Sequence, residues 1–293
     1  MVGILPAVFF YLLMGLGPSI ATFILSFTDI SGVTGVPWKF IGLDNYREFF
    51  FQQSQRDLVQ VIKNTVIFCA AVTLIQNAVA LPIALAVNSK LIKCKTFFRA
   101  VIFMPVVLGV LVTCLVWMAM LNPMEGPVTQ IISIFGWSST FFSGQTPAAL
   151  ASVIFAQIWM YLGYSMVINL AGLQVIPSEL YEAGEIDGTS KWQGFRHITF
   201  PQLWPTINAN LLLAVIGSLQ SFQIILIATN LRNMSTQTLA SRSIFYAFSI
   251  GARDANQAMR QGYGAAWAMV LFVFILTATL LYQRVMNRRE LEA

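Results

Sequence analysis

The chain has 293 residues, 57% of them hydrophobic and only 10% charged, with a mean hydropathy of +0.72. A soluble domain carries roughly 25% charged residues, so too little polar surface remains to coat a globule, and lipid is the expected solvent. The net charge of +5 would suit nucleic acid, but the basic residues sit at the ends of apolar runs, which is the pattern of membrane orientation rather than phosphate binding.

Apolar runs read against breakers give six spans: Ile4–Phe27, Asn64–Asn88, Ala100–Leu121, Ala148–Ile176, Thr206–Thr229 and Gly264–Gln283. Each has about the 20 residues that a helix needs to cross a bilayer core, and helices are required because backbone groups in lipid must bond internally. The first run lacks a basic flank and a small-residue cleavage pattern, so it reads as a span rather than a cleaved signal peptide; a start upstream of Met1 stays open. Pro18, Pro82 and Pro105 are expected to kink their helices or to lie near an end. Cys69, Cys94 and Cys114 do not form a disulfide framework, and with His197 the sole histidine no metal site is expected.

Orientation follows from the short connections. Lys90, Lys93, Lys95 and Arg99 lie between spans two and three, and Arg284, Arg288 and Arg289 follow span six. Basic short loops stay in the cytoplasm, and an even number of spans then puts both termini there. The segments Asp29–Lys63 and Asn230–Gly262 become external; Leu239–Ile250 is expected to form a short external helix packed on the spans. Trp38–Tyr46 and Arg232–Arg260 are open to an external protein partner or simply to solvent. One membrane domain, 1–293, is expected.

The longest cytoplasmic connection, about 177–205, holds an acidic stretch from Glu179 to Asp187. Ser178 is expected to cap a helix that Gly188 ends in the left-handed conformation. Ser190 is expected to cap a second short helix with Trp192 and Phe195 on one face, stopped by Pro201. Such a knob can lie in lipid headgroups, but Glu182, Glu185 and Asp187 would be repelled by anionic lipid, and a protein partner suits them better.

The residues Glu182-Ala183, Gly188, Ile198 and Pro201 resemble the EAA loop of binding-protein-dependent ABC importer permeases. Tyr181 to Gly188, with Trp192-Gln-Gly-Phe195 and Ile198-Thr-Phe-Pro201, is similar to the maltose-type sugar permeases in particular. The likeness extends over nearly the whole chain, through Ser26-Phe-Thr-Asp29, Phe40 to Tyr46, Asn64-Thr65, Ala84 to Asn88, Arg99 to Pro105, Trp117, Ala171 to Pro177 and Gly262 to Ala266. Gly184 stands where a second alanine is usual and Phe200 where leucine is usual. After span five, Thr229-Asn-Leu-Arg232 replaces the common Thr-x-Gly-Gly-Pro turn.

The resemblance implies an all-α, type I ABC importer permease fold with a coupling helix between spans four and five. It also implies a multi-pass subunit of a bacterial or archaeal cytoplasmic membrane. The implied partners are a second homologous permease in a heterodimer, two ATP-binding subunits and an extracytoplasmic solute-binding protein. In that family the loop docks in a groove of the ATPase, which assigns the contact here to Glu182, Ala183, Glu185, Asp187, Gly188, Trp192, Phe195, Ile198 and Pro201. No Gly-x-x-x-x-Gly-Lys-Ser/Thr loop occurs in the chain, so no cofactor is expected on it, and ATP-Mg falls to the partner ATPases. The spans as drawn also contain no Asp, Glu, Lys, Arg or His, which argues against an ion-coupled carrier and against a membrane enzyme.

For a solute path, Gln76, Asn77, Gln157, Trp159, Tyr161, Asn169, Gln220 and Gln223 are the candidates, with Tyr164, Asn208, Asn210 and Phe222 beside them. Amides exchange hydrogen bonds with hydroxyls and aromatic faces stack on sugar rings; in membranes the same amides also join helices together. Gln220 and Gln223, three apart, are expected on one face of span five. A sugar or oligosaccharide is the expected solute; glycerol phosphate, another class, would want basic groups in the path.

Overall fold

The computed structural model describes residues 4–52, 55–89, 92–134, 147–231, 233–248 and 259–290, with backbone alone for 52 and 287–290. Lys90, Arg232 and the side chains of Arg288 and Arg289 therefore lie outside it. The long helices are α1 Leu5–Leu25, α2 Gln55–Asn88, α3 Lys95–Met120, with α4 Pro127–Ile134 after it, and α5 Pro147–Val175. Two short helices follow, α6 Ser178–Ile186 and α7 Lys191–Gly194, and then α8 Phe200–Gln220, α9 Gln223–Thr229, α10 Leu239–Phe248 and α11 Gln261–Glu290. Among the described residues five helices are long and apolar enough to cross a membrane, and a sixth is reached when the run Lys191–Gln220 is joined to Gln223–Thr229 across its break. Among the described residues the only β feature is an isolated bridge between Thr28 and Phe40.

Five of the spans expected from sequence are single helices, several of them beginning earlier, and the expected fifth is two helices across a break. Charged residues such as Arg56, Asp57 and Lys63 hide the first two turns of α2 from a hydropathy reading, although they are good helix residues at a membrane edge. Span five starts well before Thr206, because neither Pro201 nor Pro205 ends it: a π-helical turn, Phe195–Thr199, joins α7 to α8. A widened turn relaxes the ladder just where the Pro201 ring has no N–H to offer.

Contacts divide the chain into two compact units. The first comprises Met1–Thr65 and Ser221–Leu276. Its core is aromatic: Phe49, Tyr263 and Trp267 are buried with Leu58, Val61 and Leu239, and the Phe49 and Trp267 rings meet edge to face at 4.6 Å. Asn64 Nδ2 donates to the carbonyls of Met234 and Gln237 at 3.2 and 3.0 Å, and the Leu239 N–H donates to Thr65 Oγ1 at 3.0 Å. These bonds seat α10, the expected short helix between spans five and six, with Leu239, Ala240 and Phe245 buried. Arg260 donates to both carboxylate oxygens of Glu48 and lies 4.4 Å over the Tyr263 ring. That hydrogen bond, with the carboxylate charge, raises the guanidinium pKa further. α1 is apolar and wholly exposed in the single chain, and its Ser19 and Thr22 hydroxyls bond back to the carbonyls of Gly15 and Pro18.

The second unit comprises Val66–Gln220 and Thr277–Ala293. α5 is its centre. A Cβ on Gly163 would lie 2.4 Å from the Ile102 carbonyl oxygen, so the α3 and α5 backbones almost touch; one on Gly172 would lie 2.6 Å from Thr206 Oγ1 of α8. Close approach through small residues is how membrane helices pack without a hydrophobic drive between them. Ala80 and Ala84 of α2 do the same, in a core with Met166, Leu170, Leu173, Leu203 and Ile207. α3 is not uniform: Gly109 leaves the helical region with φ 75° and ψ 165°, four residues after the buried Pro105.

Candidate functional site

Two places in the second unit carry the chemistry. The first lies between α2, α5 and α8. Gln76 Nε2 donates to Ser165 Oγ at 2.7 Å, and Ser165 Oγ donates to Asn210 Oδ1 at 3.1 Å. Asn210 Nδ2 returns to the Ser165 carbonyl at 3.3 Å. An amide, a hydroxyl and an amide thus join three helices, and Asn210 is only 1% exposed. The network borders a cavity of about 290 Å³ lined also by Gln157, Tyr161, Tyr164 and Ser218, with Val72, Leu213 and Ala214 as its apolar wall. None of the lining residues is acidic, basic or a histidine.

Of the residues expected along a solute path, Gln76, Gln157 and Tyr161 line this cavity, and Tyr164 and Asn210 join them. The others do not. Asn77 is buried, with Nδ2 donating to the Thr73 carbonyl of its own helix at 2.8 Å. Trp159 stacks edge to face on Trp117 at 5.5 Å. Asn169 is buried with Oδ1 unbonded, away from the cavity lining. Asn208 accepts from the Tyr282 hydroxyl at 2.7 Å, tying α8 to the end of α11.

Gln220 and Gln223 do not share a helix face. α8 ends at Gln220, Ser221 and Phe222 are not helical, and Gln223 opens α9. The 3.6-residue rule places two residues together only within an unbroken helix. Ser165 and Ser218 are the polar cavity residues that sequence reasoning missed. A single serine in an apolar run gives no signal, because its usual partner is the carbonyl of its own helix.

The second place is the connection from α5 to α8. Pro177 in extended conformation starts α6, and it, not Ser178, is the N-cap residue; Ser178 already lies in the first turn. α6 ends at Ile186 with Asp187 as its C-cap, and Gly188 follows with a φ of 74° that only glycine takes readily. Ser190 caps α7 as expected, and Gln193 completes a capping box by bonding back to the Ser190 N–H. Trp192 and Phe195 stack with centroids 5.6 Å apart, and Phe200 and Trp204 continue the aromatic row.

The bend is held from within by residues facing each other. Tyr181 Oη and Thr199 Oγ1 are 3.1 Å apart, and Thr189 donates to the Gly184 carbonyl from both N–H and hydroxyl. Ile198 packs toward Gly184, so its side chain helps close the bend; Pro201 sits in the first turn of α8. By contrast, Glu182, Ala183, Glu185, Asp187 and Gly188 are exposed, Ile186 is 87% exposed and Trp192 67%. None of the acids takes part in the one ion pair found among the described residues. Glu185 and Asp187 sit at the C-terminal end of α6, where the helix dipole disfavours negative charge and no basic residue offsets it.

A family model described as "Binding-protein-dependent transport system inner membrane component" matches residues 78–290. The trehalose/maltose transport system permease protein MalF of Thermococcus litoralis is 30% identical, over 96% of this chain and 91% of its own length. The multiple sugar-binding transport system permease protein MsmF of Streptococcus mutans is 31% identical, over 98% and 93%. The arabinooligosaccharides transport system permease protein AraP of Bacillus subtilis is 28% identical, over 94% and 84%. Among solved structures, a chain of a bacterial ABC transporter involved in import of the acidic polysaccharide alginate superposes with a TM-score of 0.79 at 22% identity, covering 98% of this chain and 94% of that one.

Proposed function

Because the chain belongs to the family of binding-protein-dependent transport system inner membrane components, a family of transport subunits rather than enzymes, we propose that it is one of two transmembrane subunits that carry a neutral sugar or oligosaccharide inward by alternating access. The observation that carries the solute class is the Gln76–Ser165–Asn210 network on a cavity with tyrosines and no acidic or basic lining residue. Amides and hydroxyls exchange donors and acceptors with sugar hydroxyls, and tyrosine rings offer faces to sugar C–H groups. An anionic solute would find no cation there. The permeases MalF, MsmF and AraP, named for trehalose/maltose, multiple-sugar and arabinooligosaccharide transport, support the same class.

In this reading the 293 residues act as one permease domain, multi-pass in the cytoplasmic membrane of a bacterium or archaeon with both termini in the cytoplasm. A related permease completes the heterodimer, two ATPase subunits hold ATP-Mg, and an extracytoplasmic binding protein delivers solute. α6 and α7 dock on one ATPase. Glu182, Ala183, Glu185, Asp187 and Gly188 present the exposed acidic ridge, Trp192 and Phe195 the apolar part, and Ile198 and Pro201 set the angle between loop and span. Acids left at the wrong end of α6 cost helix stability and suit a basic groove on a partner. ATPase closure would then move α6 and α7 with α5 and α8 as a rigid group.

The test is reconstitution of the chain with its partner permease, ATPases and binding protein, followed by ATP-dependent uptake of a panel of neutral oligosaccharides and glycerol phosphate. Uptake and ATPase stimulation by a neutral oligosaccharide are expected. Stimulation by the phosphate ester alone would overturn the solute class, and uptake without the ATPase would overturn the coupling.

A further inference from the structure

Among the described residues, α3 is the one long helix with a residue in a conformation that no regular helix contains. Gly109, at φ 75° and ψ 165°, interrupts 26 residues of otherwise helical backbone at membrane depth. That region of conformational space is essentially restricted to glycine. In lipid an interruption is costly, because the carbonyls and N–H groups around it lose their helical partners. Pro105, four residues earlier, has already removed the N–H of one ladder bond and loosens this turn.

The consequence falls on Thr113. A threonine in a span ordinarily bonds its hydroxyl to the carbonyl four residues back. Thr22 does so to Pro18, Thr65 to Val61 and Thr229 to Ile225, each at 2.8 Å. Thr113 has Gly109 as its fourth preceding residue. A ψ of 165° in place of the helical value of about −42° turns the Gly109 carbonyl away from the axis direction. Thr113 is 0% exposed with Oγ1 unbonded, a lack of partner that the Thr73 and Thr279 hydroxyls share without a positive-φ glycine four residues before them. Both halves of α3 rest on α5: the first through Gly163 against Ile102, the second through Trp117 between Phe155 and Trp159 at 4.7 and 5.5 Å.

We propose that α3 is a two-state element hinged at Gly109, bent as seen here and straight when Gly109 turns helical and its carbonyl accepts the Thr113 hydroxyl. The two states trade opposite terms. Bending relieves the Pro105 ring and fits α3 to α5; straightening restores the ladder and pairs a buried hydroxyl. Glycine at 109 keeps the bent state accessible, and threonine at 113 rewards the straight one. The hinge rests on the transporter reading only for its place in the transport cycle, where it would let the outer half of span three move while the half against Gly163 stays put.

The experiment places spin labels at Phe97→Cys and Met120→Cys, both exposed, in the full chain with Cys69, Cys94 and Cys114 replaced by alanine, held with its partners in nanodiscs. A straight helix would separate these two positions by roughly 35 Å along the axis; the bent form is shorter. Gly109→Ala, which disfavours positive φ, is expected to enlarge the long-distance population at least threefold. Adding Thr113→Val is expected to return it toward the wild-type ratio, and adding Thr113→Ser, which keeps the hydroxyl, is not. Should Gly109→Ala fail to fold, Thr113→Val in the wild-type background is expected to shrink the long population while Thr113→Ser leaves it. A distribution unmoved by these substitutions, or valine and serine at 113 acting alike, would overturn the hinge. Absence of ATP-dependent uptake by the unsubstituted chain with its partners, alongside a normal hinge response, would instead count against the transporter reading.

Discussion

The exposed bend between α5 and α8 and the cavity between α2, α5 and α8 use polar residues in opposite ways. At the bend the acids Glu182, Glu185 and Asp187 point outward with no ionic partner, while hydroxyls and a glycine pack inward to hold the shape. In the membrane the polar groups turn inward to one another across three helices, and what faces lipid is apolar. Water explains the first and its scarcity the second: a solvated carboxylate waits for a partner at little cost, whereas an unpaired amide in lipid costs several kcal/mol. A surface meant to meet another protein can therefore be left incomplete, and polar groups in the membrane are for the most part completed from within, with Asn169 Oδ1 and Thr113 Oγ1 among the exceptions.

The sharpest way to break that contrast is at the bend. Replacing Glu182 with lysine and Gly188 with valine inverts the exposed charge and denies the turn its left-handed residue. ATP-dependent uptake should fall to background while the chain still inserts and pairs with its partner permease, as co-purification would check. Retained ATPase recruitment and uptake would remove the bend from the coupling path.

Next in size is the closest helix contact. Gly163→Leu forces a side chain against backbone at Ile102, which unlike a flexible chain end cannot yield. Overpacking of this kind costs about 1–3 kcal/mol, and α3 lies on α5 through this point, so a clear drop in thermal midpoint of the purified chain in detergent is expected. An unchanged midpoint would mean that the two helices do not approach as described.

The cavity network should respond more mildly. Asn210→Leu strands the Ser165 hydroxyl and with it one end of the chain of bonds. Hydrogen bonds between membrane helices average about 0.6 kcal/mol and reach about 1.7, so a stability loss within that range is expected. If the network also meets solute, the KM for uptake should rise by a factor larger than the stability loss accounts for. A double-mutant cycle with Gln76→Leu separates the two roles: coupling in stability marks helix joining, and coupling in KM marks the solute path.

These contrasts also explain what could be seen in the sequence. The six apolar runs and the two short helices of the bend are local patterns, written within a few residues of one another: Ser190 with Gln193, Gly188 after an acidic helix, Trp192 with Phe195. The two short helices emerged where expected, and the apolar runs emerged as helices with shifted ends, the fifth broken in two. The cavity is not local. Gln76 meets Ser165 across 89 positions and Ser165 meets Asn210 across 45, and hydropathy carries no record of either pairing. Breaks were misplaced for a related reason. Pro201 and Pro205 look like stops, yet a π-helical turn carries the chain into α8; Ser221 and Phe222, which look like ordinary span residues, are where the helix actually ends.

The smallest effect tests whether the inside of the bend is tuned for shape alone. Gly184 occupies a buried helical position where alanine would add up to about 1 kcal/mol of helix propensity. The added methyl would stand 2.9 Å from Thr189 Oγ1 and 3.0 Å from Ile198 Cδ1. Thr189 cannot rotate away without giving up its hydrogen bond to the Gly184 carbonyl, a bond worth about 1 kcal/mol. The two terms nearly cancel, so Gly184→Ala should change stability by less than about 0.5 kcal/mol, as measured by denaturant unfolding of the chain. Removing the Thr189 hydroxyl breaks the balance: with Thr189→Ala added, that bond is already gone and Gly184→Ala should become stabilising relative to Thr189→Ala alone. Because Gly184 faces inward while Glu182 and Glu185 face out, ATPase affinity should stay unchanged throughout, and a shift in that affinity would show that the inner packing and the outer ridge are not separable.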